Sequence, residues 1–333
     1  MSGIKIAVVG AGDWGKNLIR NFAELKTLYS VCDHYMSSVI PLARKYNIPI
    51  NTWEQILANQ DITAVVIATQ ANTHYELAHK ALSAGKHVFV EKPMALCSKD
   101  AFNLCQLAKQ VNRKLMSGHL LQYHPAFTKL KSMIENGALG KLRYIYSNRL
   151  NLGKIYPGKD VLWDLAPHDL SMILSLTNTV PVNVTYNSSN CISNSAADFS
   201  MLHLEFEKEI KAHVFVSWLN PVKEQKLVVV GDKAMAVFDD LQEWSHKISI
   251  YPHRIEWHDN CPVALKEEAE YIDIPPSEPL RNECKHFVDC ILHDKQPITD
   301  GYESLRILKV LEQSSTGKLQ QDTLSSTQTT VHI

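Results

Sequence analysis

Three side chains have types and spacings suited to redox chemistry on an alcohol: Lys92, Asp164 and His168. Lys92 follows the run Gly85-Lys-His-Val-Phe-Val-Glu91, and Pro93 comes next. A short apolar strand stops there. At the carboxyl end of a parallel strand, a lysine brings a mobile cation and three donors to the ligand crevice. Taken alone it is an ordinary strand-end lysine. Asp164 and His168 lie four residues apart in Trp163-Asp-Leu-Ala-Pro-His168-Asp169, so they share one side of a helix start. Histidine suits proton transfer near neutral pH, because its unperturbed pKa is about 6.5. A nearby carboxylate would orient the ring and stabilise its protonated form. The same pair also reads as a helix cap and a surface ring.

The elements that must position these groups begin at Gly10-Ala-Gly12-Asp13-Trp14-Gly15. A buried strand over residues 4–9 precedes it, and a helix to about Leu25 follows. The first glycine permits the tight turn, the second lets backbone approach a pyrophosphate, and the third lets helix pack on strand. The helix start then offers free N–H groups and a positive dipole end to phosphates. Asp33 closes the second strand, 18 residues past Gly15. An acid there binds the adenosine ribose hydroxyls and repels a 2′-phosphate, which favours NAD over NADP. The polar loop Thr69-Gln-Ala-Asn72-Thr73-His74 follows another strand, with Asn72 or Thr73 expected to cap the next helix. Thr69, Asn72 and His74 read as a wall beside the pyrophosphate or nicotinamide ribose; helix capping alone explains the loop nearly as well.

Strands and helices alternate through the first third: strands at 29–32, 64–68, 87–90 and 114–117, helices near 38–46, 53–57, 73–84 and 99–111. That rhythm predicts an α/β Rossmann fold, a doubly wound parallel sheet. After about residue 121 a helix at 125–136 gives way to strands at 143–150, 182–188, 199–206, 210–216, 226–231, 234–239 and 247–251. Helices return at 280–292 and 302–311. The second part is therefore α+β with an open-faced, mainly antiparallel sheet. The expected division is 1–121 for NAD binding, 122–315 for substrate binding and oligomerisation, and 316–333 as a polar tail.

The chain has 333 residues, 45% hydrophobic and 21% charged, with net charge -1. That balance is globular and gives no bulk attraction to nucleic acid or to a membrane. No apolar run approaches a membrane span, and the run at 4–9 is too short for a signal-peptide core. Seven dispersed cysteines without a Cys-x-x-Cys pair suit reduced thiols in the cytoplasm. The fifteen histidines include no His-Glu-x-x-His, so no metal is expected.

Gly10-Ala-Gly-x-x-Gly15, Ala68-Thr-x-x-x-Thr-His74, Gly85-Lys-His-Val-x-Val-Glu-Lys-Pro93 and Asp164-x-x-x-His168-Asp together resemble the glucose–fructose oxidoreductase / inositol dehydrogenase family (Gfo/Idh/MocA). Gly137-x-Leu-Gly-Lys141 and Gln296-Pro-x-x-Asp-Gly301 also match, so the resemblance covers about residues 4–313. It implies redox chemistry at a sugar or cyclitol hydroxyl, with Lys92, Asp164 and His168 as the catalytic group. In that reading His168 is the base, Lys92 donates to the reacting oxygen, and Asp164 orients either of them. Gly10, Gly12, Asp13, Trp14, Gly15, Asp33, Thr69, Asn72, His74, Glu91, Lys92 and Gln122 are expected around the cofactor. The resemblance also implies an often-cis Lys92–Pro93 bond and a homodimer or homotetramer. Departures fall on the substrate side: Gln70 stands where many relatives have proline, no arginine lies near Gln122, and Ala-Pro precedes His168.

Substrate contacts are expected from Lys92, Tyr123, Arg149, Asn151, Lys154 and His168. If no bulge intervenes, Arg149, Asn151 and Lys154 would meet an anionic group, which points to a nucleotide-linked (UDP-) sugar or uronate. A solvated strand face is an equally good account. This segment, with Gln122-Tyr123-His124, resembles family members of bacterial surface-polysaccharide pathways. The alternatives are a dehydrogenase of a free cyclitol or sugar, and a non-catalytic dinucleotide-binding co-regulator of the same fold.

Overall fold

The computed structural model describes residues 3–153, 160–192 and 196–325, without the side chains of Lys208 and of 315–325. The chain divides into two compact units. Unit 1 takes the chain to His124 and then Ser277–Leu308; unit 2 takes Pro125–Pro276 and the chain from Lys309.

Unit 1 opens with β1 (Ile6–Val9), α1 (Gly15–Glu24), β2 (Leu28–Cys32), α2 (Met36–Tyr46), α3 (Trp53–Ala58), β3 (Ala64–Ile67), α4 (Ala71–Ser83), β4 (His87–Glu91), α5 (Ser98–Gln110) and β5 (Leu115–Gly118). The five strands are parallel, in the order β2-β1-β3-β4-β5. A one-residue parallel bridge from Ile50 to Val31 stands outside β2, where a further strand would lie. Every residue of β1 and β3 is buried, as expected of strands covered on both faces. α1 sets Gly15, Leu18, Ile19 and Phe22 on one stripe toward the sheet. Sequence order reverses between β1 and β3, and such a switch point opens the ligand crevice of this fold class.

Unit 2 contains α6 (Pro125–Glu135), β6 (Leu142–Leu152), α7 (Val161–Thr177), β7 (Asn183–Ser189), β8 (Phe199–Glu205), β9 (Lys211–Ser217), β10 (Leu219–Gly231), β11 (Ala234–Asp239), β12 (Ile248–His258), β13 (Cys261–Lys266) and β14 (Glu270–Ile272). The sheet runs β13-β12-β11-β10-β6-β9-β8-β7, with β14 also on β12. All pairs are antiparallel except β6–β9. α7 packs on β9, β6 and β8, and α6 on β11 and α7. On the row Thr185-His203-His213-Tyr146, the Tyr146 and His213 rings stack at 5.3 Å and 4°.

Several elements differ from the sequence expectation. Asp164 does lie in the first turn of a helix, but that helix runs a full seventeen residues, Val161–Thr177. Ten of its seventeen residues are buried, so it lacks the polar face that marks a surface helix. β13 and β14 are unanticipated; β13 is exposed at five of its six positions. α4 begins at Ala71 with Gln70 as its cap, two residues earlier than an Asn72 cap allows. Thr73 instead donates its hydroxyl to Gln70 O at 2.7 Å from inside the first turn. Finally, α8 (Pro279–Leu292) and the start of α9 (Gly301–Ser325) belong to unit 1, whereas residues 122–315 were expected as one domain. Phe287 explains α8: its ring lies 5.7 Å from Phe89 of β4, and Leu280, Cys284 and Val288 join the same core. α9 continues through part of the expected tail, a stretch with one glycine and no proline to stop it.

Candidate active site

In unit 1 the turn after β1 fits a dinucleotide. Gly10 has φ +98, and a Cβ there would lie 2.4 Å from Ala68 O. A Cβ on Gly15 would lie 2.0 Å from Gly10 O, so neither position admits a side chain without moving backbone. Gly12 faces open space, which leaves its backbone approachable. The cap of α1, Trp14, supplies no side-chain hydrogen bond to the helix start. Lys16 N turns back to Gly12 O at 3.2 Å and Asn17 N to Trp14 O at 2.9 Å, so a phosphate would meet the N–H groups that precede them in the turn. Asp13 is exposed and pairs with Lys16 at 3.2 Å. Asp33 accepts from Ala11 N at 2.6 Å and Tyr35 N at 2.8 Å. Those two bonds fix the carboxylate at the end of β2 and leave it acceptor capacity for hydroxyls.

The ends of β3, β4 and β5 carry the remaining polar groups. Thr69 shares a hydrogen bond with Thr73 at 2.7 Å. Asn72 is exposed on the first turn of α4. His74, expected in the cofactor wall, is 1% exposed instead. Its ring nitrogens face Pro93 O at 2.8 Å and Thr69 O at 3.1 Å. Burial lowers its pKa, which favours the neutral ring. His74 thus clamps the β3 loop to the β4 loop rather than meeting a ligand.

Lys92 and Pro93 are joined by a cis peptide. Beside them, Glu91 accepts from Trp14 Nε1 at 2.5 Å and from Lys92 N at 3.3 Å. Its carboxyl lies over Gly118, where a Cβ would come within 2.7 Å of Oε2. Burial raises the Glu91 carboxyl to about 7, against the pull of the Trp14 hydrogen bond and the Lys92 charge. His119 donates to or accepts from Ser304 Oγ at 2.8 Å. Burial, with the nearby Lys92 ammonium, drives its pKa down to about 3. Gln122 is buried on the short turn Leu120–Tyr123. Tyr123 was expected to touch substrate. Its hydroxyl instead meets Thr299 Oγ1 at 2.9 Å inside the core, and burial pushes that phenol further above its ordinary range.

In unit 2, Asp164 and His168 are both half-buried on α7, one turn apart. Asp169, the next residue, faces the other way and is 0% exposed. It accepts from Ser147 Oγ at 2.5 Å, Arg149 Nε at 2.7 Å and Arg149 Nη2 at 3.2 Å. Arg149 was expected to meet a substrate anion. No bulge interrupts β6 against β9, yet Arg149 lies on the α7 side and is committed to Asp169. Asn151 keeps its Oδ1 buried without a hydrogen-bond partner among the described residues. Lys154 lies outside the described residues. Among those residues, no group of three or more His, Cys, Asp or Glu side chains gathers as a metal site would.

Sequence reasoning passed over Glu283, Asp169 and His119. Glu283 carried a visible signal: it falls on the apolar stripe Leu280, Glu283, Cys284, Phe287, Val288, where a solvated acid does not belong.

Comparison with known proteins agrees with this geometry. Residues 4–119 match the oxidoreductase family with an NAD-binding Rossmann fold, and residues 127–237 match the GFO/IDH/MocA C-terminal domain. UDP-N-acetylglucosamine 3-dehydrogenase of Acidithiobacillus ferrooxidans is 26% identical over 92% of this chain and 94% of its own length. Inositol 2-dehydrogenase of Rhizobium meliloti is 26% identical over 59% of this chain and 61% of its own. A solved structure of UDP-N-acetylglucosamine 3-dehydrogenase from Acidithiobacillus ferrooxidans superposes with TM-score 0.81 at 24% identity, covering 94% of this chain and 96% of that one. With a glycine turn that admits only backbone, an acid fixed at the end of β2 and a lysine at the end of β4, the chain belongs to the GFO/IDH/MocA family of NAD-binding oxidoreductases.

Proposed function

We propose that this dehydrogenase oxidises a secondary hydroxyl of a nucleotide-linked sugar. The observation that carries the reading is the match along nearly the whole chain to a UDP-N-acetylglucosamine 3-dehydrogenase. NAD, when bound, would supply the acceptor for the hydride of the alcohol carbon. Gly10, Gly12 and Gly15 would admit its pyrophosphate, and Asp33 would hold the ribose hydroxyls while repelling a 2′-phosphate. His168 takes the hydroxyl proton as general base. Lys92 donates a hydrogen bond to the same oxygen and steadies the negative charge that develops there. Asp164, one turn before His168, orients the ring. Asn151 and Lys154 remain the candidates for the sugar or its phosphates.

The enzyme works in the cytoplasm, in keeping with seven free thiols. It assembles as a homodimer or homotetramer through the ring-lined face of the unit 2 sheet, where Tyr144 is 43% exposed.

A free cyclitol or sugar is the second reading. The commitment of Arg149 and Tyr123 inside the fold favours it, because both drop out as handles for a phosphate. An absorbance screen for NADH, with UDP-sugars, free sugars and inositols against NAD and NADP, separates the two. Turnover is expected on a UDP-sugar with NAD; turnover on inositol and on no UDP-sugar would reverse the choice. His168→Ala and Lys92→Ala should each lower kcat by about 10²-fold or more while NAD binding persists. Normal turnover in both variants would remove these residues from the mechanism.

A further inference from the structure

In the sheet of unit 1, β3 stands between β1 and β4, yet one pair of side chains joins the turn after β1 to the end of β4. Trp14 lies inside the glycine turn and gives no side-chain hydrogen bond to its own helix. Its indole N–H reaches beyond β3 and donates to Glu91 Oε1 at 2.5 Å. The ring is 40% exposed, so it adds little to the core, and the N–H is the part of it that the fold uses. The other carboxyl oxygen, Oε2, accepts from the Lys92 backbone N–H at 3.3 Å. One carboxyl therefore touches both the turn that fits a pyrophosphate and the backbone that carries Lys92.

The room for that carboxyl comes from β5. Gly118 is the register partner of Glu91. A Cβ there would lie 2.7 Å from Glu91 Oε2, 2.9 Å from its Cδ and 3.0 Å from Oε1. Gly118 lies in a strand and has no positive φ, so its backbone does not call for glycine; the carboxyl does. All three atoms belong to the far end of the Glu91 side chain. A methyl added at 118 would push the carboxyl aside and leave the backbone in place.

We propose that Trp14 and Glu91 are positioning residues that latch the phosphate turn to the end of β4, so that the seat of the cofactor's pyrophosphate and the backbone of Lys92 keep one spacing. Gly118 is the third part, because its missing side chain leaves the carboxyl its place. The role rests on reading the turn as the pyrophosphate seat, but the first arm of its test needs no cofactor, so the two can fail separately.

The test uses the full chain at pH 8.5, above the Glu91 value of about 7. The first arm is nuclear magnetic resonance of protein carrying isotopically labelled tryptophan and lysine. The Trp14 indole N–H and the Lys92 backbone N–H are assigned by their loss in Trp14→Phe and Lys92→Met. Gly118→Ala, which changes neither partner, should move both signals. Glu91→Leu should do the same, whereas Glu91→Gln keeps an acceptor and should bring the indole signal back toward its wild-type position. Trp14→Phe should move the Lys92 signal. An indole signal unmoved by Glu91→Leu and Gly118→Ala would mean that the bond does not form. A Lys92 signal unmoved by Trp14→Phe would detach the lysine from the latch.

The second arm follows NADH binding by nicotinamide fluorescence. Trp14→Phe and Glu91→Leu should each raise Kd about tenfold, the scale of one charge-assisted hydrogen bond. The double variant should bind no worse than the weaker single one, because both changes remove the same bond. Losses that multiply, or an unaltered Kd in Trp14→Phe, would overturn the positioning role. Trp14→Phe alters an exposed ring, so it keeps both arms decisive even if Gly118→Ala fails to fold.

Discussion

Asp169 of unit 2 is 0% exposed and accepts three hydrogen bonds, from Ser147 and twice from Arg149. Glu283 of unit 1 is 1% exposed and accepts none among the described residues. Both acids sit on helices packed against a sheet, yet they answer the cost of burial differently. Asp169 brings a cation and a hydroxyl with it, so its charge is matched inside the unit and fastens α7 to β6. Glu283 brings no such partner, and burial, then the Glu91 charge, push its carboxyl above the ordinary range. An acid that brings its own partners fastens one element to another; one buried without them is pushed toward its neutral form.

Breaking the matched acid should have the largest effect. Asp169→Ala leaves the Arg149 guanidinium buried without its counter-charge and should cost about 3–5 kcal/mol of stability in denaturant unfolding. Asp169→Leu combined with Arg149→Met should recover much of that loss, since an apolar pair of similar volume removes both buried charges. If Asp169→Ala were harmless, the contrast with Glu283 would collapse. A smaller effect is expected at Asp33, an acid held by backbone N–H groups at the crevice. Asp33→Ser should raise the NADP-to-NAD ratio of kcat/KM by about tenfold, because a nearby negative charge no longer opposes the 2′-phosphate. An unchanged ratio in steady-state kinetics would remove Asp33 from cofactor choice.

The weakest case is Glu278, which accepts from Arg20 and Asn21 and joins α1 to the start of α8. The Arg20 hydrogen bond holds its pKa below the ordinary carboxylate range, with burial opposing. Its contribution is therefore present above the unfolded pKa and lost as pH falls through the folded one. Because both side chains are 36% exposed, solvent screens the pair, and Glu278→Gln should cost at most about 1 kcal/mol at neutral pH. A larger loss would mean that partial exposure does not rank these acids.

What the sequence made legible follows the same division. β1 and β3 of unit 1 are continuous apolar runs, and the Gly10–Gly15 turn needs its residue types within a few positions, so local spacing carried both. The places of Asp33, Lys92 and the Asp164/His168 pair were readable, because each marks the end of a strand or one turn of a helix. Arg149 was misread because its partner lies 20 residues away across a strand and a helix, and no local spacing distinguishes an arginine pointing at a helix from one pointing at a ligand. His74 and Tyr123 failed for a related reason: their polar atoms are taken by groups brought near only by the fold, Pro93 O and Thr299. β13 escaped because its exposed side chains give no pattern of burial to detect.

The return of α8 to unit 1 also sets an order of assembly. Phe89 in β4 meets Phe22 of α1 on one side and Phe287 of α8 on the other. During synthesis the five strands of the parallel sheet leave the ribosome long before residue 287 does. Until then that flank of the sheet has no helix over it, and the entire span Pro125–Pro276 must be made first. The nucleotide-binding unit is thus the first to begin folding and among the last to be completed, with an uncovered apolar flank in the interval that a chaperone could shield.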